Sequence, residues 1–171
     1  MPDGSLKLRG RVAAVLGENI DTDIIYPGRY LNITDREKTA EHLFELAYPE
    51  IRGALRPGEF IVAGKNFGCG SSREQAAAAL KFAGAGAVIA GSFARIFIRN
   101  SINLGLPAVV APEAAGACAA GDELEIDLAG GTIRNLTPER VVAAAALDPR
   151  AVALLEAGGL IPYLKRKYAA A

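Results

Sequence analysis

The chain has 171 residues, of which 51% are hydrophobic and 22% are charged, and its formal net charge is zero. This balance is typical of one folded domain, and it disfavours a disordered chain or a protein that binds the phosphate backbone of nucleic acids. No apolar run reaches the roughly 20 residues of a membrane helix, and the first ten residues lack the apolar core of a signal peptide, so a cytoplasmic protein is expected.

The N-terminal part of the chain predicts one strand, a long loop and one helix. Residues 6–17 begin with alternating charged and apolar side chains, which indicates a strand. Residues 18–35 are rich in Asp, Asn, Gly and Pro without a sustained period, which is typical of a binding loop with room for one short helical turn. Thr34 or Asp35 can cap a helix over residues 36–47.

The central part alternates short apolar runs with helical patterns. Strands are predicted in residues 56–64, 86–92 and 107–111, and helices over residues 71–85 and 93–105. Because buried strands alternate with helices in parallel βαβ units, this order predicts a parallel sheet.

The C-terminal part predicts a hairpin followed by helices. Residues 121–135 contain two alternating strands around an Ala-Gly-Gly turn, the pattern of a β-hairpin. Thr137 and Pro138 fit the N-cap and the first position of a helix, so helices are expected over residues 137–168. The whole chain is predicted to be a single α/β domain with its core in about residues 8–135.

Cysteine and histidine are scarce. Cys69, Cys118 and the one histidine, His42, are too few for a disulfide scaffold, a Cys/His zinc site or an iron–sulfur cluster. We therefore expect no metal site in this chain, and metal chemistry would require a metal carried by another chain. Cys69 is interpreted as a small apolar filler and His42 as a residue on a helix face.

The most informative stretch is GKNFGCGSSRE, residues 64–74. Its spacing does not match a P-loop, a dinucleotide-binding fingerprint or a nucleophile elbow. Ser71 and Glu74 have the spacing of a capping box, which would make Ser71 only a helix N-cap. Alternatively, the glycine-rich turn exposes amides at the positive end of a helix dipole, and Arg73 adds a cation. The loop would then suit a carboxylate ligand or a serine that must become an alkoxide.

Three segments carry a resemblance to a known family: DTDIIYPGRYL, GKNFGCGSSREQAAAAL and AVIAGSFARIFIRNSINLGLP. In order and spacing they resemble the small subunit of 3-isopropylmalate dehydratase, the detached swivelling domain of the aconitase superfamily. The resemblance covers roughly residues 8–130 and implies a swivelling β/β/α fold, with a mainly parallel central sheet, a β-hairpin and helices packed around them. It also implies a large partner subunit that carries a 4Fe–4S cluster, and a stereospecific dehydration and rehydration of a malate derivative.

The resemblance implies roles for individual residues. Ser71 matches the catalytic serine, which takes the proton from the carbon next to a carboxylate and later returns it. Arg73 matches an arginine that binds a substrate carboxylate and supports the alkoxide. Asp23 matches a catalytic aspartate that pairs with a histidine from the cluster-bearing part of the site. Further substrate contacts are expected from five residues. These are Thr22, Leu31, Asn32, Ile33 and Ser72.

The family's usual specificity element is the loop after Tyr30. An arginine in it suits a third carboxylate, as in homoaconitase-like members, whereas an apolar pair suits an isopropyl group. Leu31 and Ile33 flank Asn32 here, so an isopropyl pocket and leucine biosynthesis are favoured. Homoaconitate, citramalate, dimethylmalate and maleate remain alternatives, because Asn32 fits neither pattern and Arg29 is a nearby cation. An alternative of another class is a non-catalytic module that binds a carboxylate metabolite.

Overall fold

The structure is a computed structural model that describes residues 6–169. In these residues a seven-stranded sheet forms the centre of the fold. Its strands are β1 (Lys7–Val15), β2 (Phe60–Ala63), β3 (Ala87–Ala90), β4 (Ala108–Val110), β5 (Glu123–Asp127), β6 (Thr132–Asn135) and β7 (Arg140–Ala143). Their order across the sheet is β4-β3-β2-β1-β5-β6-β7.

Helices connect and cover the strands. The α-helices of the described residues are α1 (Thr22–Ile25), α2 (Arg36–Glu41), α3 (Pro49–Ala54), α4 (Glu74–Phe82), α5 (Arg95–Asn103), α6 (Ala114–Ala117), α7 (Pro149–Ala157) and α8 (Leu160–Ala169). A short 3-10 helix lies at Gly28–Tyr30, between α1 and α2. No helix within residues 6–169 combines the length and the apolar character that a membrane crossing requires.

Strand β1 joins two halves of the sheet. Its first part, from Lys7 to Arg11, pairs antiparallel with β5, and its last part, from Val12 to Val15, pairs parallel with β2 with a register shift between Val12 and Ala14. The strands β2, β3 and β4 continue the parallel half, and β5, β6 and β7 form the antiparallel half. The predicted α/β class, the parallel strands and the hairpin are confirmed.

The parallel strands are buried on both faces, which explains their continuous apolar sequence. In β2, Ile61 and Ala63 belong to one core cluster, which also contains buried residues of α4 and the segment around α1. Phe60 and Val62 belong to a second cluster, shared with β5, β6 and β7. Because successive strand residues point to opposite faces, the four residues of β2 contribute side chains to both core clusters. This packing holds β2, and with it the start of the loop that follows it.

The prediction of a helix that begins at Thr137 is wrong. Residues Arg140–Ala143 instead form the edge strand β7, and the C-terminal helices begin with α7 at Pro149. The Thr137 hydroxyl accepts a hydrogen bond from the Glu123 amide at 3.0 Å, which ties this segment to β5 rather than to a helix end. Pairing of β7 with β6 outweighs the helical preference of the alanine-rich sequence.

The helix predicted over residues 36–47 is shorter than expected. Asp35 caps it as predicted, since its carboxylate accepts from the Lys38 amide at 3.0 Å, but α2 ends at Glu41. The chain then turns through Phe44, which has a positive φ of 53°, and Pro49 begins α3. This turn places residues 42–45 against the loop that follows α1.

Candidate active site

Two loops meet at the carboxyl end of the parallel sheet. Strands β1 and β2 are parallel neighbours, so the loops that follow them leave the same edge of the sheet. The Gly68 amide donates to the Ile20 carbonyl at 2.7 Å, and the Thr22 amide donates to the Cys69 carbonyl at 2.9 Å. These main-chain hydrogen bonds place the start of α1 beside the glycine- and serine-rich loop of residues 64–73, here called the Gly-Ser loop.

Two glycines of the Gly-Ser loop are required by close approach. Gly68 has a φ of 77°, and a β-carbon there would lie 2.3 Å from the Phe97 side chain. Gly70 has a φ of 101°, and a β-carbon there would lie 3.3 Å from Thr22 Oγ1. Since a side chain at either position would be strained and crowded, the loop can hold this path only with glycine.

Ser71 lies at the tip of this loop with its side chain exposed. Its hydroxyl oxygen is 3.3 Å from the Thr22 hydroxyl oxygen, and Thr22 itself is only 3% exposed. Ser72 is the exposed neighbour of Ser71. The buried hydroxyl of Thr22, the first residue of α1, is therefore in position to orient Ser71 and to donate to it.

The capping box predicted for Ser71 and Glu74 does not form. Helix α4 begins at Glu74 with Arg73 at its N-cap, and no side chain caps it. The Arg73 amide instead donates to the Ser71 carbonyl at 2.9 Å, which turns the chain before the helix starts. The Ser71 hydroxyl is thus not engaged by the helix, and the positive end of α4 is left uncapped beside it.

Arg73 is held from two sides. Its Nη1 forms an ion pair with Asp23 Oδ1, and the same carboxylate oxygen accepts from the Gly28 amide at 3.1 Å. A β-carbon at Gly28 would lie 2.9 Å from Arg73 Nη1. The Arg73 side chain is 24% exposed, so the guanidinium is fixed in place yet can still offer donors to a carboxylate ligand.

Asp23 has a different neighbour from the one that the sequence resemblance implied. The expected partner was a histidine from the cluster-bearing part, whereas in this chain the carboxylate orients Arg73 and the Gly28 amide. The Asp23 side chain is 59% exposed, which leaves it accessible from outside the chain. A role beside a partner's histidine therefore stays a prediction.

The predicted specificity residues follow the 3-10 helix Gly28–Tyr30. Leu31 packs against the core, Asn32 is exposed, and Ile33 is half-buried with its amide donating to the Tyr30 carbonyl at 3.0 Å. The segment is continuous with Gly28, which contacts Arg73. Contact of these three side chains with a substrate stays a prediction.

The sequence did not reveal a polar cluster at the base of this segment. The His42 ring stacks on Tyr30 with centroids 3.6 Å apart, and Glu45 accepts hydrogen bonds from the Tyr30 hydroxyl at 3.2 Å and from Arg29 at 3.4 Å. Burial tends to raise the pKa of Glu45, but the hydrogen bonds from Tyr30 and Arg29, together with the charge interactions with His42 and Arg29, outweigh it and lower the pKa. No spacing motif links residues this far apart, so sequence patterns carry no signal for this cluster.

The cysteines of this chain do not fit an iron–sulfur cluster. Cys118 is buried in the second core cluster, and burial raises the pKa of its thiol. Cys69 is half-buried in the Gly-Ser loop. Within residues 6–169, no three His, Cys, Asp or Glu side chains come together as a metal site. A cluster with three or four cysteine ligands cannot be held by these residues.

Comparisons with known proteins agree on one family. The family described as the Aconitase C-terminal domain matches residues 19–114. The 3-isopropylmalate dehydratase small subunit of Moorella thermoacetica is 54% identical over 151 residues, which are 88% of this chain and 91% of that protein. The methanogen homoaconitase small subunit of Methanothermobacter thermautotrophicus is 51% identical over 159 residues, 92% of this chain and 91% of that one. A crystal structure of 3-isopropylmalate dehydratase from Methanocaldococcus jannaschii superposes with a TM-score of 0.88 at 40% identity, covering 96% of both chains.

Proposed function

Since the chain belongs to the 3-isopropylmalate dehydratase small subunits of the aconitase superfamily, we propose that Ser71 is its catalytic base and Arg73 its carboxylate anchor. The chain is one subunit of a 3-isopropylmalate dehydratase-type hydro-lyase, and the reaction proposed for it is the interconversion of 2-isopropylmalate and 3-isopropylmalate by dehydration and rehydration. The observation that supports the residue assignment is the convergence of Ser71, Thr22, Arg73 and Asp23 at one edge of the sheet.

Ser71 would act as an alkoxide. A serine hydroxyl is a poor base near neutral pH, so its anion needs electrostatic stabilisation. The Thr22 hydroxyl at 3.3 Å, the Arg73 guanidinium and the uncapped N-terminus of α4 are the groups that can supply it. The alkoxide takes a proton from the carbon next to a carboxylate, and that C–H electron pair forms the alkene while the C–O bond of the departing hydroxyl breaks. Rehydration reverses these steps with the hydroxyl on the adjacent carbon.

Arg73 and Asp23 would set the direction of the substrate. Asp23 holds the guanidinium by one of its Nη groups, so the remaining N–H donors can bind a carboxylate in a fixed orientation. Ser72 and Thr22 lie beside them and complete the expected polar contacts. With the carboxylate anchored by Arg73, the acidic C–H would lie next to Ser71, as proton transfer requires.

The proposed assembly is a heterodimer with a large subunit that carries the 4Fe–4S cluster. Small-subunit names among the relatives and the lack of fit between Cys69, Cys118 and a cluster support this arrangement. When bound to the large subunit, the cluster supplies a Lewis-acid iron for the hydroxyl that leaves. Ser71 is exposed in this chain, so the partner's surface is expected to close the cavity above it. The cytoplasmic location stays a prediction from the sequence.

The proposed substrate is 2-isopropylmalate, in leucine biosynthesis. Leu31 and Ile33 provide apolar surface for an isopropyl group, and Asn32 between them carries no charge that would select a third carboxylate. Homoaconitate, citramalate, dimethylmalate and maleate are the competing substrates, and a panel of these acids with the assembled enzyme ranks them directly. A higher kcat/KM for any of these acids than for 2-isopropylmalate would contradict the substrate assignment.

The experiment for the base uses the assembled enzyme. The chain is mixed with its large subunit and reconstituted cluster, and the alkene intermediate is followed by its absorbance with 2-isopropylmalate. Ser71→Ala should lower kcat by about 10²- to 10⁴-fold, the usual contribution of a positioned base. Thr132→Ala, an exposed hydroxyl on the distant strand β6, is the matched control. Wild-type turnover by Ser71→Ala would show that the base lies elsewhere.

Calorimetry with the isolated chain separates catalysis from simple binding. A catalytic subunit with half of a site should bind 2-isopropylmalate weakly alone and become active on mixing with the large subunit. Tight binding of a dicarboxylate without the partner, and no activity with it, would favour the non-catalytic carboxylate-binding module.

A further inference from the structure

One carboxylate anchors the segment that carries the predicted specificity residues. Glu45 Oε1 accepts from the Tyr30 hydroxyl at 3.2 Å, and Glu45 Oε2 accepts from Arg29 Nη2 at 3.4 Å. The same Oε2 lies 3.5 Å from His42 Nδ1, and the His42 ring is stacked on Tyr30. Glu45 is therefore the residue on which the side chains of Arg29, Tyr30 and His42 converge.

The 3-10 helix Gly28–Tyr30 connects this cluster to the proposed site. Its first residue, Gly28, lies against the Arg73 guanidinium and donates to Asp23. Its last residue is Tyr30, whose carbonyl oxygen accepts from the Tyr26 hydroxyl at 2.8 Å. The Tyr30 hydroxyl itself donates to Glu45. Gly28, which lies against the carboxylate anchor Arg73, is thus the chain neighbour of Arg29.

Charge is the second feature of this segment. Arg29 is the one cation in residues 27–35, two positions before Leu31 and the residues Asn32 and Ile33 that follow it. In the structure its guanidinium pairs with Glu45 and lies over the Tyr30 ring, 4.9 Å from the centroid. The pair with Glu45 makes this part of the surface electrically neutral, so Arg29 offers little attraction to an additional carboxylate of a substrate.

We propose that Glu45 is a positioning residue for substrate selection: it holds Arg29 away from the substrate and so disfavours acids with a third carboxylate. This inference rests on the proposed function, in which Arg73 binds a carboxylate and residues 31–33 face the variable part of the substrate. Glu45 touches neither the substrate nor the reacting atoms. It acts through Arg29, and through Tyr30 it keeps the segment in one conformation.

The test compares two substrates in the assembled enzyme. Glu45→Gln keeps the shape of the side chain and an oxygen for the Tyr30 hydroxyl, but it removes the charge that neutralises Arg29. The measured quantity is the ratio of kcat/KM for a tricarboxylate analogue, with a carboxylate-bearing arm in place of the isopropyl group, to kcat/KM for 2-isopropylmalate. The ratio should rise about tenfold, mainly through a lower KM for the tricarboxylate, as expected for one new charge-assisted contact.

Two further variants make the result specific. Adding Arg29→Gln to Glu45→Gln should return the ratio to near the wild-type value, because the freed cation is then absent. Glu37→Gln, an exposed carboxylate in the first turn of α2, should leave the ratio unchanged. The gain should shrink as salt rises to about 0.5 M, since contacts of exposed charges are screened.

The outcomes distinguish the two proposals. If wild-type enzyme and Glu45→Gln both convert 2-isopropylmalate and the ratio stays the same, the inference about Glu45 is wrong while the proposed function stands. A rise that persists without Arg29 also overturns it. If the wild-type assembly does not convert 2-isopropylmalate at all, the proposed function fails. Circular dichroism of each variant shows whether it is folded. Equal loss of activity on the tricarboxylate analogue and on 2-isopropylmalate would count against selective positioning by Glu45.

Discussion

Replacing Gly28 by alanine should displace the carboxylate anchor without unfolding the chain. A β-carbon at Gly28 would lie 2.9 Å from Arg73 Nη1, 3.1 Å from Nη2 and 3.2 Å from Cζ. Ordinary van der Waals contacts of a β-carbon begin at 3.4 Å, so the guanidinium must withdraw by about half an ångström. Gly28 opens a 3-10 helix, a conformation that alanine adopts readily, so the backbone need not move.

The expected consequence is kinetic rather than structural. The atoms that must move are the end of one flexible side chain, so the free energy of unfolding should change by less than about 1 kcal/mol. The displaced guanidinium, however, loses its alignment with Asp23 and with the substrate carboxylate. Misplacement of a binding group by about 1 Å can cost on the order of 100-fold. For half that distance we expect KM for 2-isopropylmalate to rise about tenfold.

The assay is steady-state kinetics of the assembled enzyme together with urea denaturation of each small-subunit variant. Gly53→Ala is the matched control: it lies in α3 with no atom within 4 Å of the new β-carbon, and it should raise stability by about 0.5–1 kcal/mol with unchanged kinetics. Gly68→Ala is the opposite control, since its positive φ and the 2.3 Å approach to Phe97 should destabilise the fold by more than about 2 kcal/mol. An unchanged KM in Gly28→Ala would refute the role assigned to Arg73 and its neighbours.

Three further predictions concern the rest of the fold. Asp148 accepts from the third residue of α7, so Asp148→Ala should cost about 1 kcal/mol in urea denaturation; no loss would contradict capping. Burial raises the pKa of Cys118, so its thiol should react with Ellman's reagent at pH 8 only after unfolding. Rapid reaction of Cys118 as well as Cys69 in the folded chain would contradict this. Hydrogen bonds from Tyr30 and Arg29 and the charge interactions with His42 and Arg29 together outweigh burial and lower the pKa of Glu45. Its ionised form therefore stabilises the fold above its ordinary pKa of 4.5 and loses that contribution as pH falls through the lowered value. The difference in urea midpoint between wild type and Glu45→Gln should accordingly vanish in acid, and a difference that persists at pH 2 would rule this out.

The parallel half of the fold was predictable because neighbouring residues in the sequence determine the pattern of each of its strands and helices. Strands β2, β3 and β4 are continuous apolar runs, and the helices α4 and α5 between them have apolar residues at helical spacing, a pattern with few other interpretations. The strand β7 was not predictable, because its Ala- and Val-containing sequence after Thr137 and Pro138 suits a helix when considered alone. Its pairing with β6 depends on a turn and an edge that only the assembled sheet provides.

The candidate site was predictable only where its residues are neighbours in sequence. Ser71 and Arg73 share one glycine-rich loop, and the chemistry of an anion site followed from that loop. Their partners Thr22 and Asp23 lie 49 and 50 positions away, and the resemblance to a family, not the spacing, drew attention to them. The capping interpretation of Ser71 was wrong because a hydrogen bond from the Arg73 amide to the Ser71 carbonyl delays the helix start, which a sequence pattern does not reveal.

The exposure of Ser71 determines how the proposed base can work. An alkoxide stabilised by Thr22, Arg73 and a helix terminus gains little from them in water, because the solvent screens each interaction. The same groups become effective once water is removed and the surrounding dielectric falls. Ser71 and Ser72 are exposed and Asp23 is 59% exposed, so this chain alone does not exclude water from them. We therefore expect the nucleophilic character of Ser71 to arise only on assembly: a serine-directed electrophile should leave Ser71 unmodified in the isolated chain and label it in the complex, in competition with substrate.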